Sequence, residues 1–465
     1  MISRASLGRR AQRALRRTHC QCQAQPSNCR GLAAAASGSF TYETGEAAGV
    51  KFASRDLPGP TTHVAVVAKA GTRYQPAPGF TDGLENFAFK NTNKRSALRI
   101  TREAELLGSE LNAYHSRENL IVGAKFLRDD LPYFVELLAE VISNTKYLRH
   151  QLQEEVLPRI KLSQKSILGN TAELADSSAH AVAFHRGLGT PLHPTSSSPF
   201  TKYIDEGGLQ AFSQVAYAKD NFAVVANGAS HSELSKWVGE FFTDSPDTAP
   251  SDLPKPGTGQ TKYYGGEERI AHDSGNNIIL AFPGSGSFTG GFFKPEISVL
   301  SALLGGQTTI KWSPGFSLLS KATEDYPRIQ IKTTHHTYSD AGLLCITMSG
   351  DASQMRKAAS GVVSTLKGVA AGEVSKEDIK KAVAAAKFQT LESGQAISTG
   401  IELTGAGLVT GGKAFQLDEV GKSIEKVTED QVKKAAKSLL DGKATVSTVG
   451  DLHLLPFAEE IGLQV

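Results

Sequence analysis

This chain spells one succession of elements twice. In the first half, HVAVVAKAG (63–71) reads as a buried strand leading to a helix around Glu85, SELNAYHSRENLIVGAKFL (109–127) as paired strands, and LPYFVELLAEVI (131–142) as an amphipathic helix. In the second half, NNIILAFPG (276–284) leads to a helix at PEISVLSALLGG, RIQIKTTHHTYSDAGLLCITMSG (328–350) reads as paired strands, and MRKAASGVVSTLKGV (355–369) as a helix. Long amphipathic helices follow in each half, expected at about 147–168 and 375–390, the second opened by Ser375 and Asp378 at capping-box spacing. Between the halves, TDSPDTAPSDLPKPGTGQ (243–260) carries four prolines and few apolar residues, which makes it a linker. The 465 residues exceed what one hydrophobic core usually serves. The expectation is an α+β fold of two homologous domains, 37–242 and 261–465, each a mainly antiparallel sheet packed with helices. No GxGxxG loop suggests a nucleotide site.

The first 36 residues obey other rules. They hold seven arginines (Arg4, Arg9, Arg10, Arg13, Arg16, Arg17 and Arg30), no lysine, and no acid precedes Glu43. On a helical wheel Arg9, Arg10, Arg13, Arg16 and Arg17 gather on one side, opposite Leu7, Ala11, Ala14 and Leu15. This is the pattern of a mitochondrial transit peptide; the alternative is a basic tail for nucleic acid or lipid. Without these seven charges the net charge of +3 falls to −4, which argues against nucleic acid as a partner of the mature chain. Cleavage is expected between about 31 and 40, at GLAAAASGSF. Cys20, Cys22 and Cys29 would leave with this segment. Cys345 then stands alone in the apolar run GLLCITMSG, where it reads as a small buried hydrophobe, and neither a disulfide framework nor a cysteine zinc site can form. No run approaches the roughly 18 apolar residues of a membrane span, so any membrane association is expected to be peripheral.

One short stretch poses the question of chemistry. GFTDGLENFAFKNT (79–92) contains Asp82, Gly83, Leu84, Glu85 and Asn86 where a zinc peptidase of the HxxEH type places its two histidines and its general base. A glutamate survives and both imidazoles are replaced. LENFAFKNT resembles the HxxEH region of the pitrilysin-type (inverzincin) peptidases and mitochondrial processing peptidases, LNAYHSRENLIV resembles the strand that follows in that family, and TTHHTYSDAGLLCI resembles the second-half strand pair. The resemblance covers essentially the whole chain beyond the basic segment. The family's third ligand, a glutamate on a later helix, corresponds to Ile160 in EEVLPRIKLSQ. All three ligand places, Asp82, Asn86 and Ile160, have therefore changed, and a general base at Glu85 has no acidified water to act on. We expect no catalytic residue, no metal and no cofactor, with Asp82 and Glu85, three residues apart, serving as a helix-starting capping box. His115, His335 and His336 lack partners at ligand spacing; neighbours on a strand point to opposite faces, so His335 and His336 cannot share an ion, and satisfied or solvent-facing histidines are expected.

Within the family, ALLGGQTTIKWSPGFSLLSKA (302–322) resembles the core subunits of the mitochondrial cytochrome bc1 complex, ubiquinol-cytochrome c reductase. That resemblance implies a non-catalytic scaffold on the matrix side of the inner membrane, peripheral to it, in a dimeric complex, pairing with a core protein 1 subunit and other bc1 subunits. Two alternatives stay open: the non-catalytic α subunit of the processing peptidase, which binds presequences and carries a longer glycine-rich loop, and an active zinc peptidase.

Overall fold

The computed structural model describes residues 41–195, 199–247, 260–307 and 315–465. The arginine-rich segment, most of the linker and residues 308–314 of the 302–322 segment lie outside them.

The first half builds a six-stranded sheet. Its strands are β1 (Glu43–Ala47), β2 (Val50–Arg55), β3 (Thr61–Ala68), β4 (Glu110–His115), β5 (Leu120–Leu127) and β6 (Phe222–Asn227), in the order β1-β2-β6-β3-β5-β4. The second half builds a five-stranded sheet from β7 (Gly266–Ala271), β8 (Asn276–Pro283), β9 (Ile329–Thr337), β10 (Gly342–Gly350) and β11 (Thr445–Gly450), ordered β7-β11-β8-β10-β9. Leave out β1 and the two orders coincide. β2 runs parallel to β6 and β7 to β11, the last strand of each half, and the other pairings are antiparallel. The repeated succession in the sequence is thus a repeated topology.

Helices of the first half are α1 (Phe80–Phe87), α2 (Ala97–Leu106), α3 (Leu131–Asn144), α4 (Leu157–Gly169), α5 (Thr171–Phe184), α6 (Glu206–Ala216) and α7 (His231–Phe241). The second half contributes α8 (Pro295–Leu304), α9 (Leu318–Ala322), α10 (Ala352–Ala371), α11 (Lys376–Gln395), α12 (Ile397–Gly411), α13 (Leu417–Glu425) and α14 (Glu429–Asp441). The single helix expected at 147–168 is compound: Arg149–Gln151 passes into a π turn, Leu152–Val156, before α4. Pro158 is the reason, because its ring removes the N–H that a regular helix would aim at the carbonyl four residues earlier. At α11, Ser375 Oγ accepts from the Asp378 N–H at 3.1 Å while its hydroxyl donates to the Asp378 carboxylate at 2.7 Å, so the expected cap forms, with aspartate gripping the hydroxyl.

Strand period 2 sorts the first sheet into two cores. Val64, Val66 and Ala68 face a large cluster with Phe87, Phe126, Phe134, Leu137, Val156 and Ile160, whereas Ala65 and Val67 face a smaller one with Ile121, Val225, Ile401 and Leu408. Ile401 and Leu408 belong to α12, a helix of the second half. The reverse also holds: α5 of the first half lays Leu174, Ala175, Ala179 and Ala183 on the second sheet, against Ile279, Ala281, Leu343 and Cys345. Each half therefore covers a sheet face of the other. That is why β6 and β11 are buried along their whole length and carry no polar-out alternation. Cys345 lies in this second core, its thiol pushed up by burial.

The crossing of α12 over β3 depends on Gly405. A Cβ placed there would lie 2.5 Å from Val67 Cβ and Cγ2. Gly405→Ala gains helix propensity but overpacks this contact, and we expect a net loss of about 1–3 kcal/mol, read as a lower urea midpoint. An unchanged or raised midpoint would show that α12 can lift from the first sheet without loss.

Candidate functional site

α1 begins abruptly. Gly79 caps it in the left-handed region (φ 94°) with no side-chain acceptor, and Asp82 lies inside the first turn. The expected capping box at Asp82 and Glu85 is therefore incorrect: the helix starts three residues earlier, at a glycine. Asp82 is buried, and its Oδ1 accepts from His193 Nδ1 at 2.7 Å. Glu85, one turn on, meets His115 Nδ1 through Oε2. Asn86 Nδ2 turns back to its own helix and donates to the Asp82 carbonyl at 2.8 Å. Ile160 is fully buried in the first core.

His115, at the end of β4, is satisfied and buried: Nε2 meets the Leu192 carbonyl at 2.8 Å while Nδ1 faces Glu85. Burial opposes its charged form, but the Glu85 hydrogen bond, the Asp82 and Glu85 charges and the Leu192 carbonyl outweigh burial and raise its pKa. Its ring stands edge-on to that of His193, centroids 4.9 Å apart. Sequence reasoning missed His193. It lies in the loop after α5, far from the motif in the chain, and the single hint was a histidine flanked by turn formers in TPLHPTSSSP. The loop is pinned at several points: Arg117 Nη1 donates to Leu188 O (3.3 Å) and Thr190 O (2.6 Å), and Gln164 Nε2 donates to Thr195 O (2.8 Å).

A second polar cluster joins the two halves. Arg117 Nη2 and His336 Nε2 approach opposite oxygens of Asp176 at 3.4 and 3.5 Å. His180 donates from Nδ1 to the Asp176 carbonyl and accepts at Nε2 from the Tyr338 hydroxyl, both at 2.8 Å. His335 points the other way, as strand geometry requires, and its Nε2 accepts from the Ser285 N–H at 2.9 Å. Burial, with Arg117 nearby, pushes His180 down to about 3, and burial pushes His335 down to about 4.

These neutral histidines set an acid limit. Their folded pKa values lie below the unfolded value of about 6.5, so their contribution is complete above that pH and is lost as pH falls towards 4. His115, shifted upward, acts in the opposite sense and only above about 6.5. We expect the urea midpoint to fall from pH 6.5 to 4.5, each such histidine adding ~1.4 kcal/mol per pH unit to the slope, and His335→Gln to flatten it. A midpoint constant over that range would refute the assignment.

The chemistry available at α1 is not that of a zinc peptidase. Of the three ligand places only Asp82 offers a donor to the neighbourhood; Asn86 is engaged with backbone and Ile160 is apolar. A catalytic zinc needs three protein ligands with a position left open for water, and the HxxEH set with its later glutamate does not fit these residues.

Residues 51–195 match the insulinase family, peptidase family M16, and residues 204–386 match the peptidase M16 inactive domain. The chain is 53% identical to the cytochrome b-c1 complex subunit 2, mitochondrial, of Neurospora crassa, over the whole of both chains. The chain belongs to peptidase family M16, in its cytochrome b-c1 complex subunit 2 branch. Within that branch it is 35% identical to the protein of Yarrowia lipolytica over 90% of this chain and 96% of the relative. The mitochondrial-processing peptidase subunit alpha of Solanum tuberosum is more distant, 27% identical over 90% of this chain and 83% of the relative. The α+β reading stands: two M16-type domains with the same sheet order.

Proposed function

We propose that this chain is a non-catalytic scaffold subunit, core protein 2, of the mitochondrial ubiquinol-cytochrome c reductase, needed for the assembly and stability of that complex. The observation that carries the reading is full-length 53% identity to a cytochrome b-c1 complex subunit 2, and a peptidase motif turned inward to hydrogen bonding supports it. The chain is not a peptidase. Its partners are a core protein 1 subunit and other subunits of a dimeric bc1 complex, on the matrix side of the inner membrane. No helix among the described residues is long and apolar enough to cross a membrane, which agrees with peripheral attachment. Residues 1–36 act as the transit peptide, 37–242 and 261–465 as the two domains, and 243–260 as the linker. Asp82, Glu85, Asn86 and Ile160 are relics of a catalytic site and have no catalytic role.

The test is to isolate the native complex through this chain and identify its companions by mass. Cytochromes b and c1 with a core protein 1 are expected, and the chain itself should begin between about residues 31 and 40. Recovery with a soluble processing-peptidase β subunit alone would favour the α-subunit alternative. Cys20 and Cys22 in the mature chain would remove the transit peptide.

A further inference from the structure

The surroundings of Asp82 hold an arrangement for which a peptidase relic has no use. Four side chains from three separate elements converge there: Asp82 and Glu85 from α1, His115 from the end of β4, and His193 from the loop after α5. Donor atoms of Asp82, His115 and His193 lie within 4.8 Å of one another. We propose that Asp82, His115 and His193, with the Glu85 carboxylate as fourth donor, bind a divalent transition-metal ion of the zinc type in a closed structural site.

Three of the donors lie within reach of one another as they stand, and Glu85 completes the set by turning from its contact with His115. His115 Nε2 is committed to the Leu192 carbonyl, and a ring that gives one N–H to a backbone carbonyl presents its other nitrogen as a lone pair to a metal. That nitrogen, Nδ1, faces the carboxylates. Asp82 keeps one oxygen, Oδ2, buried with no hydrogen-bond partner, an orphan acceptor that is costly unless something positive approaches it. His193 brings a second imidazole and is partly exposed, which gives the ion an entry path. Two imidazoles and two carboxylates are a borderline donor set that suits zinc better than calcium or magnesium, which prefer oxygen alone. Tetrahedral zinc sets its donors about 3.3 Å apart, so the Asp82–His193 and His115–Glu85 contacts would open while the remaining donor pairs close in.

The set differs from the family's: it shares only position 82, and neither histidine lies on the motif helix. It also differs in kind. With Glu85 as fourth donor no coordination place remains for water, so the ion would hold α1, β4 and the 187–195 loop together without hydrolytic chemistry. The other cluster, Asp176, His180 and His336, is a poorer candidate, because both His180 nitrogens are engaged by groups outside the donor set, the Asp176 carbonyl and the Tyr338 hydroxyl, and Arg117 already neutralises Asp176.

The experiment is equilibrium dialysis of the full chain against zinc chloride, with metal content by mass spectrometry and Tm with and without zinc. Four proteins are compared: wild type, His193→Ala, His115→Gln and His336→Ala. One zinc is expected in wild type and in His336→Ala beyond that held by His193→Ala and His115→Gln, with a zinc-dependent rise in Tm in the first two alone. Losing a ligand should weaken binding by at least ~100-fold, since losing even an outer partner costs ~10–100-fold. His193→Ala takes a hydrogen-bond partner from buried Asp82 and should lower the metal-free Tm, but His193 lies on a partly exposed loop, so this variant should still fold and its zinc content remain interpretable if His115→Gln fails to fold. No zinc in wild type would overturn the proposal and leave His115 as an imidazolium between Glu85 and Leu192. Zinc retained in His193→Ala, or lost in His336→Ala, would overturn it too.

Discussion

Replacing Arg73 by alanine is expected to cost about 3–5 kcal/mol of folding stability, because it strands two nearly buried carboxylates. Arg73 follows β3 and sits at the meeting of both halves. Its guanidinium donates from Nη1 to Glu118 (2.6 Å) and Asp340 (2.7 Å), and from Nη2 to Asp340 (2.8 Å) and Thr261 (3.0 Å). Glu118 in turn accepts from the Ser339 N–H and hydroxyl. The three charged side chains are 11–14% exposed, so solvent would compensate little. Burial opposes the Asp340 charge, and the hydrogen bonds from Arg73 and Thr261 nonetheless hold its carboxyl below the ordinary value. Urea unfolding at pH 7 measures the loss. Arg73→Lys keeps the charge without the two-pronged bond and should lose less. Asp340→Asn added to Arg73→Ala should recover part of the loss by removing one stranded charge. A loss under about 1 kcal/mol for Arg73→Ala would mean that the clasp is solvated and that the halves are held by their exchanged helices alone.

The clasp shows what was legible in the sequence and what was not. Periodicity located the strand pairs at 109–127 and 328–350 and the helices that follow, and the doubled order correctly implied doubled topology. The turns Ser116–Arg117–Glu118 and Tyr338–Ser339–Asp340 stood out as family-like, yet nothing in their spelling said that they face each other. They meet because α5 and α12 cross to opposite sheets, and that exchange is a long-range packing event with no local signal. The same limit applies at α1. The motif positions were readable, and so was the loss of two imidazoles. What occupies the space was not, because His193 arrives from 107 to 111 residues further along the chain than the motif it joins. The capping box failed for a different reason. Asp82 and Glu85 have the right spacing, but Gly79 in the left-handed region lets the helix begin earlier, and a carboxylate that meets an imidazole, as Asp82 meets His193 and Glu85 meets His115, does better there than on a solvent-facing N–H.

Ile160→Glu, which restores the family's third-ligand spelling, is expected to unsettle the first domain and confer no activity. Ile160 is among the fully buried residues of the core that also holds Val156, Leu152 and Phe87. Losing a buried isoleucine forfeits ~1.5–3 kcal/mol of apolar transfer, and a carboxylate placed there without a partner must either remain charged in an apolar setting or take up a proton. A rise of 3–5 pKa units is typical for such burial, and with an ordinary glutamate pKa of about 4.3 the resulting penalty at pH 7 is about 3.5 kcal/mol. The sign is checkable: an introduced acid with a raised folded pKa is tolerated when protonated, so the loss should grow as pH rises from about 4.3 to 7 and shrink again on acidification. Ile160→Gln, with similar shape and no charge, should show a smaller loss without that pH dependence. Combined with Asp82→His and Asn86→His the substitution completes the peptidase spelling, and chelator-sensitive cleavage of a presequence peptide should still be absent. Asn86 now faces its own helix backbone, and the groups that once oriented the ligands are not implied by the ligands themselves. If Ile160→Glu proved as stable as wild type at pH 7, the side chain must reach polar space beside Asp82, and the reading of α4 as plain core at this position would fall.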